Sequence, residues 1–201
     1  MLILHYTGMR SGAEALARLR DPSAGVSAHY LVEEDGRVFQ LVDEGRRAWH
    51  AGVSHWRGRS GLNGRSIGVE IVNPGHEWGY RPFPLLQMVA VAELGLGIIA
   101  RHAIPPRNVV GHSDVAPDRR QDPGELFDWI GLAGQGLGMW PGVVAASAAP
   151  EAVPALLRQI GYRDDLPLPV LLAAFQRHWR PEKVDGLADE ETRGLLRAVA
   201  D

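Results

Sequence analysis

The sequence predicts an α/β protein, with a mixed, mostly central β-sheet flanked by helices and a small C-terminal three-helix bundle. In residues 1–132, short strand-like runs alternate with helical patterns after an initial hairpin, which is typical of a sheet with helices packed on its faces. Residues 153–201 carry helical patterns only. Residues 133–152 are dominated by Gly, Ala and Pro, so we interpret them as a linker between two domains.

Short apolar or alternating runs indicate the strands of the first domain. Asp35-Gly36 supplies the positive φ of a tight turn and joins two of these strands as a hairpin. The predicted strands cover residues 2–6, 26–32, 37–42, 65–72 and 109–112.

Apolar periodicity and helix-ending residues place the helices. Ser11 can cap a first helix that ends at Asp21-Pro22, and Ile104-Pro105-Pro106 closes a long apolar one. Phe175 and Trp179 are interpreted as core residues of the C-terminal bundle, with a sugar-binding platform as the alternative. After the first helix, the predicted helices cover approximately residues 85–102, 126–130, 155–160, 170–179 and 189–199.

Composition and charge exclude several functions. The net charge of -3 gives no reason to expect nucleic acid or an anionic membrane as a partner. The chain has no cysteine, which excludes disulfides, thiolate catalysis and all-sulfur metal sites. No apolar run approaches the roughly 20 residues of a membrane span, so no transmembrane segment is predicted. We expect a monomer.

The N-terminus bears on the compartment. No basic segment followed by an apolar core is visible, so the chain as printed is expected in the cytoplasm. The first predicted strand starts at Leu2 without a lead-in, which suggests that upstream residues are missing. With such a segment, the cell envelope or periplasm becomes the expected compartment.

Three polar residues, His5, Glu70 and His112, interrupt otherwise apolar strands. Burying such groups is costly unless they are paired or bound, so their presence in one sheet predicts a shared polar site. Asp122, in the loop after His112, can supply a carboxylate. Two imidazoles and a carboxylate leave one tetrahedral position open, which is the pattern of a catalytic zinc. Alone, each histidine is more often structural, and Glu70 can equally pair with a nearby arginine.

A long irregular stretch with aromatic and basic residues follows the hairpin. Loops of this kind on a rigid scaffold commonly contact ligands. Trp49 and His50 are predicted to line a substrate cleft, with simple packing of the loop as the alternative. Arg57 and Arg59 are candidates to bind substrate carboxylates, with a solvated loop as the alternative.

Three further polar residues are predicted to have structural roles. His29 is interpreted as a packing group or as support for a metal ligand. Asp114 is expected to shape the loop after the last strand through local hydrogen bonds. His178 is expected at the surface or at a helix end.

The segments around the polar site carry a family resemblance. They are Leu4-His5-Tyr6-Thr7, Val26-Ser27-Ala28-His29-Tyr30-Leu31-Val32, Ala48-Trp49-His50-Ala51-Gly52, Ser66-Ile67-Gly68-Val69-Glu70-Ile71, and Gly111-His112-Ser113-Asp114-Val115-Ala116-Pro117 with Asp122-Pro123-Gly124. In this order they resemble zinc-dependent N-acetylmuramoyl-L-alanine amidases of the AmpD/AmiD type, which are related to phage amidase lysozymes and peptidoglycan recognition proteins. Residues 153–201 resemble a helical peptidoglycan-binding domain, through Phe175-Gln176 and Asp185-Gly186-Leu187.

The resemblance implies roles for individual residues. His5, His112 and Asp122 match the ligands of one zinc ion, and Glu70 matches the catalytic glutamate. Residues 1–132 are then the catalytic domain. The implied reaction is hydrolysis of the amide between N-acetylmuramic acid and L-alanine in peptidoglycan or muropeptides. A non-catalytic muropeptide-binding protein is the alternative, because some relatives of this family bind without cleaving.

Arg120 departs from the family pattern, which has a lysine at this position. Arginine keeps the positive charge that a developing oxyanion needs. It cannot readily donate a proton, because its pKa stays above about 12. Arg120 is therefore predicted to stabilise charge during catalysis, and a role in proton transfer becomes doubtful.

Overall fold

The computed structural model describes residues 1–142 and 146–201 and confirms the α/β fold; residues 143–145 of the predicted linker lie outside the described residues. The strands are β1 (Leu2–Tyr6), β2 (Tyr30–Val32), β3 (Val38–Gln40), β4 (His55–Trp56), β5 (Arg59–Ser60), β6 (Ile67–Ile71) and β7 (Val109–Gly111). Five of them form one sheet in the order β3-β2-β6-β1-β7, and β4 and β5 form a separate hairpin. All neighbours in the sheet are parallel except β3, which pairs antiparallel with β2 at one edge.

Helices flank this sheet and make up the C-terminal part. Ser11 caps the first helix as predicted, because its side chain accepts a hydrogen bond from the backbone N–H of Glu14. The helices are α1 (Gly12–Arg20), α2 (Gly75–Trp78), α3 (Leu85–His102), α4 (His112–Val115), α5 (Trp129–Gly134), α6 (Val153–Ile160), α7 (Leu168–Trp179) and α8 (Glu190–Ala200).

Two element boundaries differ from the prediction near the site. His112 begins helix α4 instead of ending a strand, because the Asp114 side chain accepts a hydrogen bond from the Gly111 N–H and turns the chain at once. The predicted helix at 126–130 starts later, at Trp129, where the Asp128 side chain caps it.

Alternation along β1 divides the core into two layers. Leu2 and Leu4 belong to the apolar cluster that includes α3, whereas Ile3 belongs to the cluster that includes the C-terminal helices. Because successive side chains of a strand point to opposite faces, His5 lies on the same face as Ile3. The metal-ligand candidate therefore points to the face that α3 does not cover.

Helix α3 covers one face of the sheet. Val91, Ala92 and Ile98 are buried there, while Leu85 and Leu86 at its start are exposed. Its 18 residues are long and apolar enough to cross a membrane, which core helices of soluble proteins also are. Its contacts with β1 and β2 make it a core helix of this fold.

The C-terminal bundle, α6 to α8, packs directly on the first domain. Its Leu157, Phe175 and Leu196 share an apolar cluster with Ile3 and Val110 of the sheet. The predicted linker also contributes to the core, since α5 continues to Gly134 and Leu137 is fully buried.

A buried polar network joins the two parts. The carboxylate of Asp114 accepts hydrogen bonds from the Tyr162 hydroxyl at 2.5 Å and from Nδ1 of His178 at 2.7 Å. The His178 ring is stacked between Trp129 and Trp179, with centroid distances of 3.8 and 4.0 Å. His178 lies at a helix end, in the last turn of α7, as one of the two alternatives expected, but it is buried and not at the surface, because its ring is the polar centre of an aromatic interface.

Candidate active site

The site lies at the carboxyl ends of three adjacent parallel strands, where α/β sheets commonly bind ligands. His5 on β1 is directly opposite Glu70 on β6. On the other side of β1, Leu4 is opposite Gly111 at the end of β7, so that His112 follows at the same edge. Sheet register alone thus brings together residues that are far apart in sequence.

Three side-chain atoms converge at this edge. Nδ1 of His5 lies 3.0 Å from Nδ1 of His112 and 3.1 Å from Oδ2 of Asp122. Nδ1 of His112 lies 3.0 Å from the same Asp122 oxygen. Ligands at about 2.0–2.2 Å from a tetrahedral zinc stand roughly 3.3 Å apart, so this donor set fits such an ion closely. All three residues are buried.

The loop after α4 holds Asp122 in place. The backbone N–H of Ser113 donates to the carbonyl oxygen of Asp122 at 2.9 Å, which closes the loop at its base. The Tyr80 hydroxyl donates to the carbonyl oxygen of Pro123 at 2.7 Å and accepts from the N–H of Leu126 at 2.9 Å. The carboxylate ligand is therefore fixed from both sides of the loop.

Burial and neighbouring charges set the protonation of the cluster. Burial, with the adjacent His112, lowers the pKa of His5 to about 4, so this imidazole is neutral at pH 7. Burial pushes the pKa of Asp122 upward, but the two histidines outweigh it and hold this pKa below its usual range. Neutral imidazoles and an ionised carboxylate are the forms that bind metal ions.

Glu70 has the environment of a proton-transferring group. Burial, together with the negative charge of Asp122, raises its pKa well above the usual value, and Arg120 opposes this shift. Its Oε2 atom is buried and has no hydrogen-bond partner among the described residues. A buried carboxylate oxygen without a protein partner is unusual, and it fits a group that acts on a substrate or on a metal-bound water.

A cleft of about 800 Å³ opens above the metal-ligand candidates, and Glu70 lies in its wall. Trp49 lines the cleft as predicted and is 54% exposed. Arg120 also lines it and is exposed, so its positive charge is available to a substrate.

Of the other predicted substrate contacts, His50 lines the cleft, whereas Arg57 and Arg59 do not. His50 touches the cleft, but it is buried behind His5, and its Nδ1 lies 3.0 Å from Nε2 of His5. Arg57 donates to the carbonyl oxygen of Ile160 at 2.9 Å and so contacts the C-terminal bundle. Arg59 is exposed on β5 and, like Arg57, does not line the cleft. The loop that carries both arginines folds toward the bundle, which removes them from the expected substrate contact.

Several cleft residues were not predicted from the sequence. The guanidinium of Arg10 lies 4.2 Å from the ring centroid of Trp78. Nδ1 of His76 and the Tyr6 hydroxyl are hydrogen-bonded at 2.9 Å. Arg119 lines the wall that carries Arg120. The order of the strands could have identified some of these residues in advance. The chain segments that follow β1 and β6 must emerge at the edge of the sheet where His5 and Glu70 lie.

Comparisons with known proteins agree with this geometry. The family model described as N-acetylmuramoyl-L-alanine amidase matches residues 1–125. The N-acetylmuramoyl-L-alanine amidase AmiD of Escherichia coli K12 is 39% identical over 227 aligned positions, which cover 99% of this chain and 81% of that protein. The 1,6-anhydro-N-acetylmuramyl-L-alanine amidase AmpD of the same organism is 41% identical, but over 52% of this chain and 55% of its own length.

Solved structures give the same result over the whole chain. A complex of E. coli AmiD with the substrate anhydro-N-acetylmuramic acid-L-Ala-D-γ-Glu-L-Lys has a TM-score of 0.89 at 37% identity and covers 99% of this chain and 87% of that one. AmpDH3 of Pseudomonas aeruginosa has a TM-score of 0.91 at 35% identity, with coverages of 99% and 90%. With the convergent metal-ligand set and the full-length match, this chain belongs to the N-acetylmuramoyl-L-alanine amidase family.

Proposed function

We propose that this enzyme hydrolyses the amide between N-acetylmuramic acid and L-alanine with one zinc ion held by His5, His112 and Asp122. The convergence of Nδ1, Nδ1 and Oδ2 within 3.1 Å of one another carries the proposal. When bound, zinc would supply an acidified water and a polarised carbonyl. Two imidazoles and a carboxylate, with one position left open, suit that metal.

The residues around the metal site have separate roles in the proposed reaction. Glu70, whose pKa is raised by burial, is suited to accept a proton from the attacking water and to return it to the leaving amine near neutral pH. Arg120 holds a fixed positive charge at the cleft wall and is placed to stabilise negative charge on the carbonyl oxygen. The second wall, with Tyr6, His76 and Trp78, offers hydrogen bonds and an aromatic face.

Muropeptides are the substrate class that we propose. A cleft of about 800 Å³ can hold a sugar with a short peptide stem, and its lining mixes acidic, basic and aromatic side chains. Two relatives of high TM-score have structures with anhydromuramic peptides, AmiD with a tripeptide and AmpDH3 with a pentapeptide. Intact peptidoglycan is the second substrate to compare.

The test uses purified protein with N-acetylmuramyl-tripeptide and its 1,6-anhydro form. Products are read by mass spectrometry, and bound metal is measured by elemental analysis. We expect release of free peptide, loss of release with a chelator, and its return when zinc is added. Intact substrates in the presence of stoichiometric zinc would identify a binding protein instead of an enzyme. A cut elsewhere in the peptide would identify a different zinc hydrolase.

A further inference from the structure

In both metal-ligand histidines, the ring nitrogen that points away from the metal site is bonded to one of two consecutive residues, His50 and Ala51. We call these two residues the His50-Ala51 step. His5 and His112 present Nδ1 to the metal site, so each ring carries its proton on Nε2. Nε2 of His5 donates to Nδ1 of His50 at 3.0 Å. Nε2 of His112 donates to the carbonyl oxygen of Ala51 at 3.2 Å. Two consecutive residues thus hold ligands that come from two different elements, strand β1 and helix α4.

Beyond His50, each hydrogen bond donates away from the metal site, from His50 to Ser66 and from Ser66 to Leu62. Because Nδ1 of His50 accepts from His5, the proton of His50 lies on Nε2, which faces the Ser66 hydroxyl at 3.2 Å. That hydroxyl donates in turn to the carbonyl oxygen of Leu62 at 2.7 Å. A backbone carbonyl can only accept, so the end of this chain fixes every proton position back to His5.

Hydrogen bonds to Asn63 also fix the backbone of the His50-Ala51 step. The side-chain oxygen of Asn63 accepts from the N–H groups of both His50 and Ala51, at 3.0 and 2.7 Å. The His50 ring lies against Gly68 of β6, where an added Cβ would come within 2.4 Å of it. Any side chain at position 68 would push the ring away from His5.

We infer that the His50-Ala51 step, held by Asn63, Ser66 and Gly68, sets the tautomer and orientation of both zinc histidines. These are positioning residues, since they act on the metal through His5 and His112. The inference rests on the zinc site of the proposed function and replaces the substrate-binding role that the sequence predicted for His50. Outer hydrogen-bond partners of this kind typically change metal affinity about 10- to 100-fold.

His29 provides a matched comparison inside the same protein. It is as buried as His50, and their ring centroids are 5.7 Å apart. Its two ring nitrogens bond only to backbone, Nδ1 to the N–H of Gly68 and Nε2 to the carbonyl oxygen of Arg46, both at 3.0 Å. A substitution at His29 therefore costs packing and hydrogen bonds without touching a metal ligand.

The experiment measures zinc affinity by competition with a chromogenic chelator, with no activity readout. We expect His50→Leu to weaken zinc binding about 10- to 100-fold. His50→Asn should recover most of this loss, because the amide oxygen can accept from His5 in place of Nδ1. The matched variants His29→Leu and His29→Asn should both lose clearly less zinc affinity than His50→Leu, because His29 contacts the His50 ring and Gly68 but neither metal-ligand histidine.

Two more variants keep the test decisive if His50→Leu does not fold. Ser66→Ala and Asn63→Ala remove supports without touching a ligand, and each should weaken zinc binding by several-fold. Asn73→Ala is their control, because Asn73 is buried and holds a different loop through the N–H of Gly75 and the carbonyl oxygen of Arg81. Absorption of the cobalt-substituted protein should shift in the His50, Ser66 and Asn63 variants and not in the Asn73 variant.

The outcomes separate the two proposals. If the wild-type protein binds no stoichiometric zinc, the proposed metal site is wrong. If it binds zinc and the His50, Ser66 and Asn63 variants bind equally well, the positioning inference is wrong. Equal losses in the His29 and His50 variants would also overturn it, since the effect would then come from a loosened core.

Discussion

Glu70 is the residue whose substitution should separate metal binding from catalysis. Its Oε2 atom has no partner among the described residues, so Glu70→Gln removes the proton acceptor and disturbs little else. We expect turnover to fall by about 100-fold or more, the usual contribution of a general base, while zinc content stays unchanged. Steady-state hydrolysis with metal analysis measures both. Glu77→Gln, an exposed cleft residue, is the control; zinc loss in Glu70→Gln would contradict the assignment.

Substitution of Arg120 tests whether the positive charge on the cleft wall contributes to catalysis. Arg120→Ala removes a positive charge from the cleft wall, and the expected loss is about 100-fold in kcat, the effect of losing one oxyanion donor. Arg120→Lys should retain most activity, because charge stabilisation does not require a guanidinium. The control is Arg119→Ala, since Arg119 lines the same wall but bonds to the carbonyl oxygen of Val53. Unchanged turnover in Arg120→Ala would remove this residue from the mechanism.

At the scale of elements, Glu44 ties the sheet to helix α3. It accepts from the Tyr30 hydroxyl of β2 at 2.7 Å and from Arg101 of α3 at 2.6 Å, and it lies 2.6 Å from Nε2 of His102. The hydrogen bond from Arg101, with those from Tyr30 and His102, lowers the pKa of Glu44 to about 2 despite its burial. The ion-pair network therefore favours the folded state wherever Glu44 is ionised.

The sign of the pH effect follows from this shift. The pKa of Glu44 is lower in the folded than in the unfolded protein, so its stabilisation is complete above pH 5 and is lost as the pH falls toward 2. Glu44→Gln should remove about 1.5 to 3 kcal/mol at neutral pH, the range for bonds to a charged group, and flatten the acid limb. Urea unfolding across this pH range, with excess chelator present, measures it. Glu34→Gln, which affects a more exposed ion pair, should leave the slope unchanged.

Long elements with apolar or periodic sequences could be predicted, and several of the short ones could not. β1, β6 and α3 were predictable because apolar runs mark buried strands and helices. The two-residue strands β4 and β5 have no detectable period, and the start of α4 is set by a local hydrogen bond from the Gly111 N–H to Asp114. Local chemistry of this kind becomes visible only when the chain is folded.

The same distinction applies to the site. His5, Glu70, His112 and Asp122 could be selected because polar residues inside or beside apolar strands are costly to bury without a function. The role of His50 could not, because it depends on how the loop before β6 folds back behind β1. Sequence spacing identifies the groups that contact a ligand more readily than the groups that support them.

At the scale of the whole molecule, Asp114 connects the metal-ligand helix to the C-terminal bundle. Tyr162→Phe removes one of its buried hydrogen bonds and should lower the free energy of unfolding by about 1.5 to 3 kcal/mol, because the acceptor is charged. Thermal unfolding of zinc-free protein measures the loss. A double-mutant cycle with Asp114→Asn should show coupling, and strictly additive effects would contradict a direct bond.

This network also explains why the bundle is more than an appended domain. Ile3 and Val110, which adjoin the site, are buried in a cluster with bundle residues. Local periodicity predicted each helix of the bundle, but it carries no information on which surface each helix covers. The pairing of Asp114 with residues 48 and 64 positions later appeared only in the structure.

The sheet order has a consequence for biosynthesis. β1 is made well before its two neighbours in the sheet, β6 and β7, which follow about 65 and 105 residues later. His5 is therefore without its partners His112 and Asp122 until at least 107 further residues have been made. The bundle that covers Ile3 on the same face is made after all the strands of the sheet. The metal-ligand set is therefore complete only after β7 and the loop to Asp122 have been made, so the metal site assembles late in the synthesis of this domain.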